Sequence, residues 1–159
     1  MKKILITNDD GIAAPGIKAL TEVMHELGDI YIIAPDSAQS GMGHAITINS
    51  TLELKHIPGF LGTKNAYSCS GTPVDCVKMG IHELMKTRPD LCVSGINHGS
   101  NSSINVIYSG TMSAAVEGGI EGIPSIGFSL CDYSWDANFE NIKPFIKKIA
   151  LEVLEKGLP

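Results

Sequence analysis

The 159-residue chain has no apolar run long enough to span a bilayer, and no signal-peptide pattern opens it, because a strand-like segment begins at once. A cytoplasmic protein is expected. Basic charge is also short: 12 Lys and Arg against 17 Asp and Glu leave a formal net charge of -5, which argues against a nucleic-acid polymer or a membrane surface as partner. An anionic ligand would therefore need a local site. Cys69, Cys76, Cys92 and Cys131 are scattered and form no C-x-x-C pair, so neither a zinc site nor a disulfide framework is indicated. Each reads as a small core or near-core residue in a reducing compartment. There is no internal repeat and no low-complexity tail. With 43% hydrophobic residues and 18% charged ones, the composition is that of a globular protein, and the length suits one domain, 1–159, with its own core.

The most informative stretch is Lys3-Ile4-Leu5-Ile6-Thr7-Asn8-Asp9-Asp10-Gly11. A short β-branched run reads as a buried strand, and it ends in two adjacent carboxylates. Two neighbouring anions repel, so if both stay ionised a positive partner belongs between them, and a divalent metal is the obvious one. An Asp-Gly turn or a helix cap accounts for the same residues. A helix is predicted over Pro15 to Leu27 with Gly28 as its C-cap, then a strand over Asp29 to Ala34. The loop after that strand, Asp36 to His44, carries Ser40, two glycines and His44, and suits either a ligand or a flexible surface. From about 45 to 70 apolar and polar residues alternate, which predicts an inserted β-hairpin with a short strand at Ala66 to Ser70. Thr72-Pro73-Val74-Asp75 has the pattern of a capped helix start, so Asp75 reads as structural. A strand over Asp90 to Ser94 leads into the polar segment Gly95 to Ser103. A small-residue helix over Met112 to Gly122, a strand over Pro124 to Leu130, and a last helix tracing Phe139 to Val153 complete the pattern.

Strands alternating with helices predict an α/β fold, Rossmann-like, with three α/β/α layers and a mostly parallel sheet. In such sheets ligands bind beyond the carboxyl ends of the strands. Three strand ends would then bring Asn8/Asp9/Asp10, Asp36 to His44 and Ser94 to Ser103 to one rim, which favours the metal reading. The donors are oxygens without a His/Cys trio, so Mg²⁺ or Mn²⁺ fits better than Zn²⁺. The helix opening at Ser109-Gly110-Thr111 offers N–H groups to a phosphate, although Ser109 is equally an ordinary N-cap.

The segments ILITNDDGI (4–12), APDSAQSGMGHAIT (34–47), SGTPVDCVK (70–78), DLCVSGINHGSN (90–101) and YSGTMSAAVEG (108–118) together resemble the SurE family, the stationary-phase survival nucleotidases. The resemblance runs through nearly the whole chain in order. It implies a metal-dependent phosphatase of nucleoside 5′- and 3′-monophosphates, and in some members of short polyphosphate. It implies one divalent cation, Mg or Mn, held by Asp9, Asp10, Ser40 and Asn97, with Ser109, Gly110 and Thr111 near the phosphate. It also implies a homodimer or tetramer. Asp9 is the candidate proton acceptor, and His44 or His98 a candidate donor to the leaving oxygen. Family members continue beyond the position of Pro159, so the sequence is expected to be a fragment that lacks the carboxyl-terminal family segment.

The rival from another class is an Mg-binding receiver-type signalling module without phosphatase activity. It needs a phosphoacceptor Asp and a Lys at later strand ends, where this chain has Ser94-Gly95-Ile96-Asn97 and Phe128-Ser129-Leu130. A dinucleotide binder would want G-x-G-x-x-G, which Gly11 to Gly16 does not supply.

Overall fold

Six strands form one sheet in a computed structural model that describes residues 1–134 and 136–158. In chain order they are β1 (Lys3–Thr7), β2 (Asp29–Pro35), β3 (Leu54–His56), β4 (Asn65–Cys69), β5 (Leu91–His98) and β6 (Ser125–Leu130). The helices are α1 (Pro15–Met24), α2 (Pro73–Met79), α3 (Asn105–Tyr108), α4 (Gly110–Ile120) and α5 (Lys143–Lys156). The spatial order is β3-β4-β2-β1-β5-β6, parallel throughout except for the antiparallel β3–β4 pair.

The sheet is buried on both faces because its strands are apolar on both. Ile4, Ile6, Ile30, Ile32 and Leu91 point into one cluster with Ile17 and Leu20 of α1 and Ile146 of α5. Leu5, Ile33 and Cys92 point the other way, against Val77 of α2 and Ala114 of α4. Period-two alternation within a continuous apolar run thus feeds two cores, and the predicted three-layer α/β/α architecture is observed. Among the described residues no helix is long and apolar enough to cross a membrane.

Several boundaries differ from the sequence expectation. Helix α1 ends at Met24 rather than Leu27, with His25 as its cap. Gly28 is not that cap: a Cβ there would lie 2.4 Å from the Lys2 carbonyl oxygen, so it is glycine for close approach of the chain to β1. The antiparallel pairing expected between 45 and 70 is confined to β3 and β4, and residues 45–53 contain no strand. Ile46 and Ile48 are exposed there, while Thr47 donates its N–H and hydroxyl to Asp75, which draws the segment across the start of α2 instead of into a ladder. Asp75 also completes the capping box with Thr72, as its spacing predicts. Strand β5 runs four residues past Ser94, through a register shift between Ser94 and Asn97. Gly95 sits in that bulge at φ +129°, where a Cβ would meet the Phe128 carbonyl oxygen at 2.4 Å; only glycine fits. Cys69, Cys76 and Cys92 are buried as expected, and burial pushes the Cys92 thiol up to about 12. Cys131 departs from the expectation: it follows β6 on the surface and is exposed.

Candidate metal and phosphate site

Strand β1 stands at the centre of the sheet. The chain moves outward to β2 on one side and later returns to lay β5 on the other. That reversal leaves a crevice at the carboxyl ends of β1 and β5, where open α/β sheets bind ligands. Asp9 and Asp10 follow β1, Ser40 lies in the loop after β2, Asn97 is near the end of β5, and Ser109 caps α4. All five line one cavity of about 230 Å³. The strand ends predicted to share a rim do share it.

The paired aspartates are not equivalent. Asp9 is 4% exposed, and its Oδ1 accepts the Thr111 hydroxyl at 2.5 Å. The backbone N–H of Thr111 faces the same carboxylate. Burial pushes the Asp9 pKa above the usual carboxylate range, the Thr111 hydrogen bond opposes that, and the charge of Asp10 adds to the rise. Asp10 is more open, yet its Oδ2 is buried without a hydrogen-bond partner, and the nearest cationic candidate is His98 Nδ1 at 3.6 Å. Among the described residues no Lys or Arg lines the cavity. Two neighbouring carboxylates, one with an orphaned oxygen, thus lack a strong positive partner among the described side chains.

Asn97 is oriented by its own strand end. Its Nδ2 donates to the His98 carbonyl at 3.0 Å, the Gly99 carbonyl at 3.1 Å and Asn101 Oδ1 at 3.4 Å. With the amide nitrogen turned to these three acceptors, Oδ1 faces the Thr111 hydroxyl, 3.5 Å away. The Ser40 loop is tied to the first loop by the Gln39 N–H, which donates to the Asp9 carbonyl at 2.7 Å. Among the described residues no three His, Cys, Asp or Glu side chains gather around one point. The donor set is two carboxylates, a hydroxyl and an amide oxygen, which suits a hard divalent cation and gives no foothold to zinc.

The start of α4 is used differently from its simplest reading. Ser109 is the N-cap and accepts the Met112 N–H at 3.0 Å. Thr111 is fully buried, with its hydroxyl committed to Asp9. Gly110 packs its backbone on Asp9, where a Cβ would lie 2.7 Å from the Asp9 Cβ. Of the three, Ser109 alone lines the cavity. The histidines separate as well. His98 lines the cavity, edge-on to Phe139 at 5.0 Å, whereas His44 turns away and bonds Glu117 at 2.8 Å. Asn101, within the Ser94–Ser103 segment expected at the rim, also lines the cavity, and so do Asn105 and Tyr108, which sequence reasoning passed over. The first signal for them was the density of amides and hydroxyls after β5, where a mere connection has no need of so many.

Fold and site together define a Rossmann-like α/β protein with an oxygen-donor crevice at its switch point. The model of the family "Survival protein SurE" matches residues 4–159, and the chain belongs to that family. It is 70% identical over 156 residues to the 5′-nucleotidase SurE of Flavobacterium psychrophilum, covering 98% of this chain and 61% of that protein. Against the 5′-nucleotidase SurE of Geotalea daltonii the identity is 47%, covering 99% of this chain and 61% of the relative. The crystal structure of the SurE protein from Aquifex aeolicus superposes with a TM-score of 0.89 at 41% identity, covering 99% of this chain and 62% of that one. The chain therefore spans about three fifths of the length of the relatives it matches.

Proposed function

We propose that the protein hydrolyses nucleoside 5′- and 3′-monophosphates to nucleoside and phosphate, with short polyphosphate as a further substrate. One divalent cation, Mg or Mn, would be held by Asp9, Asp10, Ser40 and Asn97. The observation that carries this reading is the pair of carboxylates at one cavity, one buried and one with an orphaned oxygen, with no Lys or Arg among the described residues that line it. The names of the relatives, 5′-nucleotidase, supply the substrate class. Tyr108, 61% exposed at the mouth of the cavity, offers a flat apolar face of the kind a nucleobase stacks on.

When bound, the cation supplies Lewis acidity and charge neutralisation for an in-line displacement at phosphorus. The chain's own residues do the rest. Asp9, which lines the cavity and has Oδ1 held by Thr111, accepts the attacking water's proton. Ser109 and the Gly110 N–H hold the phosphoryl oxygens at the positive end of α4. His98 donates to the leaving oxygen; His44, bonded to Glu117, is outside the cavity and is set aside. The receiver-type alternative finds no support, since β5 ends in Asn97-His98 and β6 in Leu130, without phosphoacceptor Asp or partner Lys. The net charge of -5 accords with a small-molecule substrate in place of nucleic acid or membrane. A homodimer or tetramer accords with exposed Ile104, Ile107 and Phe145.

The test is release of phosphate from AMP with Mn²⁺ by the full-length protein and by Asp10→Asn. Removing a ligand should cost more than the roughly 10–100-fold typical of an outer-shell partner. Turnover should vanish with the fold intact by circular dichroism, and chelation of the metal should do the same to the unaltered protein. Full activity in Asp10→Asn would refute the assignment.

A further inference from the structure

We infer that His44 and Glu117 form a latch that fixes the Ser40 arch above the paired aspartates, which makes both of them positioning residues. The inference rests on the metal reading above, and it concerns residues that no part of that reading uses.

The arch is short and has no secondary structure to hold it. Upstream, Gln39 is fastened by its N–H to the Asp9 carbonyl. Then come Ser40 and Gly41, with Gly41 at φ +78°, and Gly43, whose N–H donates to the Tyr108 carbonyl at 3.2 Å. Ser40, Gly41 and Met42 are all exposed, so packing does not define where the arch sits. The side-chain anchor at its downstream foot is His44, whose Nε2 lies 2.8 Å from Glu117 Oε2.

Glu117 is an unusual partner. It lies two turns along α4, the helix whose first turn carries Ser109 and Thr111, and its side chain is only 6% exposed. A carboxylate so placed needs its oxygens satisfied. Oε1 takes Lys78 Nζ of α2 at 2.8 Å, and Oε2 takes His44. Burial alone would raise its pKa, but the bonds from Lys78 and His44 outweigh that and hold the carboxyl below its ordinary range. Lys78 supplies the counter-charge and ties α4 to α2. The second oxygen is left for a donor from the loop, and the residue that reaches it is the one directly after the arch. One carboxylate therefore references the Ser40 arch to the same helix that orients Asp9 through Thr111. Loss of His44 leaves α2 and α4 joined and removes the arch's side-chain tie to α4, while the Gly43 N–H on the Tyr108 carbonyl and the Thr72 hydroxyl on the Ala45 carbonyl, at 2.7 Å, stay in place.

The test compares His44→Ala with His44→Gln, whose amide nitrogen can reach where Nε2 stands, in the full-length protein. Amide hydrogen exchange across residues 39–44 and Mn²⁺ affinity by calorimetry are the two readouts. The latch predicts faster exchange in that segment alone for His44→Ala, with Mn²⁺ affinity lowered about tenfold, the low end for loss of an outer partner of a ligand. His44→Gln should restore both. Adding His44→Ala to Glu117→Gln should change little. Equal exchange in His44→Ala and the unaltered protein, or identical behaviour of the Ala and Gln variants, would overturn the latch. If Asp10→Asn leaves Mn²⁺ binding untouched, the metal reading fails instead, and the exchange data still decide whether His44 holds the arch.

Discussion

Asp9 carries a cost that its neighbours only partly relieve. Its pKa is raised, chiefly by burial, so the fold favours the protonated acid. A carboxyl with a raised folded pKa contributes stability that is present below its unfolded pKa, about 3.9, and lost as pH rises through the folded value. At neutral pH, without metal, ionised Asp9 therefore destabilises the fold. Asp9→Asn should raise the Tm of the chelator-treated protein, by about 2–4 °C for each kcal/mol relieved, and the gain should shrink toward pH 4. Thermal melts across that range decide it; a mutant less stable at every pH would contradict the account. Thr111 acts on the same carboxylate from the other side. Thr111→Val keeps the shape and removes the donor, leaving Asp9 Oδ1 buried and short of a hydrogen bond, a loss of about 1–3 kcal/mol. Activity should fall about 10–100-fold while substrate KM moves less. The acids themselves were legible in sequence because two adjacent carboxylates after an apolar run are chemically conspicuous. The commitment of Thr111 to Asp9 was not, since a threonine in a first helical turn looks the same whether it faces phosphate, solvent or a residue 102 positions away.

At the scale of elements, the site depends on how closely α1 approaches β5. A Cβ on Gly16 would lie 2.0 Å from the Ile96 carbonyl oxygen, so the helix that follows the aspartate loop rests directly on the strand that delivers Asn97. Gly16→Ala should destabilise by about 1–3 kcal/mol, the range for overpacking a well-filled core, and should disturb Asn97 more than Ser40. Urea denaturation and Mn²⁺ titration of the mutant measure the two effects. The alternation that defines strands and the punctuation that caps α2 were readable locally, because period-two runs and Thr-Pro-x-Asp express short-range rules. The extent of β5 was not. Its last residues, Gly95 to His98, are a polar, glycine-containing stretch with loop composition, and only pairing with β6 across a bulge makes them strand. Likewise, the exposed Ile46 and Ile48 imitate a half-buried ribbon, while the tie between Thr47 and Asp75 decides the path.

Across the whole molecule, strand order does what no single motif can. Placing β1 between β2 and β5 converts three segments, remote in sequence, into one rim, and the crevice falls where the connection reverses. Helix-on-both-faces packing was implied by strands apolar on both sides, and the switch-point rule then located the site. The ties that set the position of each oxygen, such as His44 to Glu117 and Asn97 to Asn101, were hidden because they join polar residues with no periodic signature. The most direct measurement of the central claim is the anomalous scattering of a crystal of the full-length protein soaked in Mn²⁺. The account predicts one peak among Asp9, Asp10, Ser40 and Asn97, with oxygens at about 2.1–2.3 Å, near the range of small hard cations. A saturated crystal with no peak there, or with its peak away from Asp9 and Asp10, would contradict it.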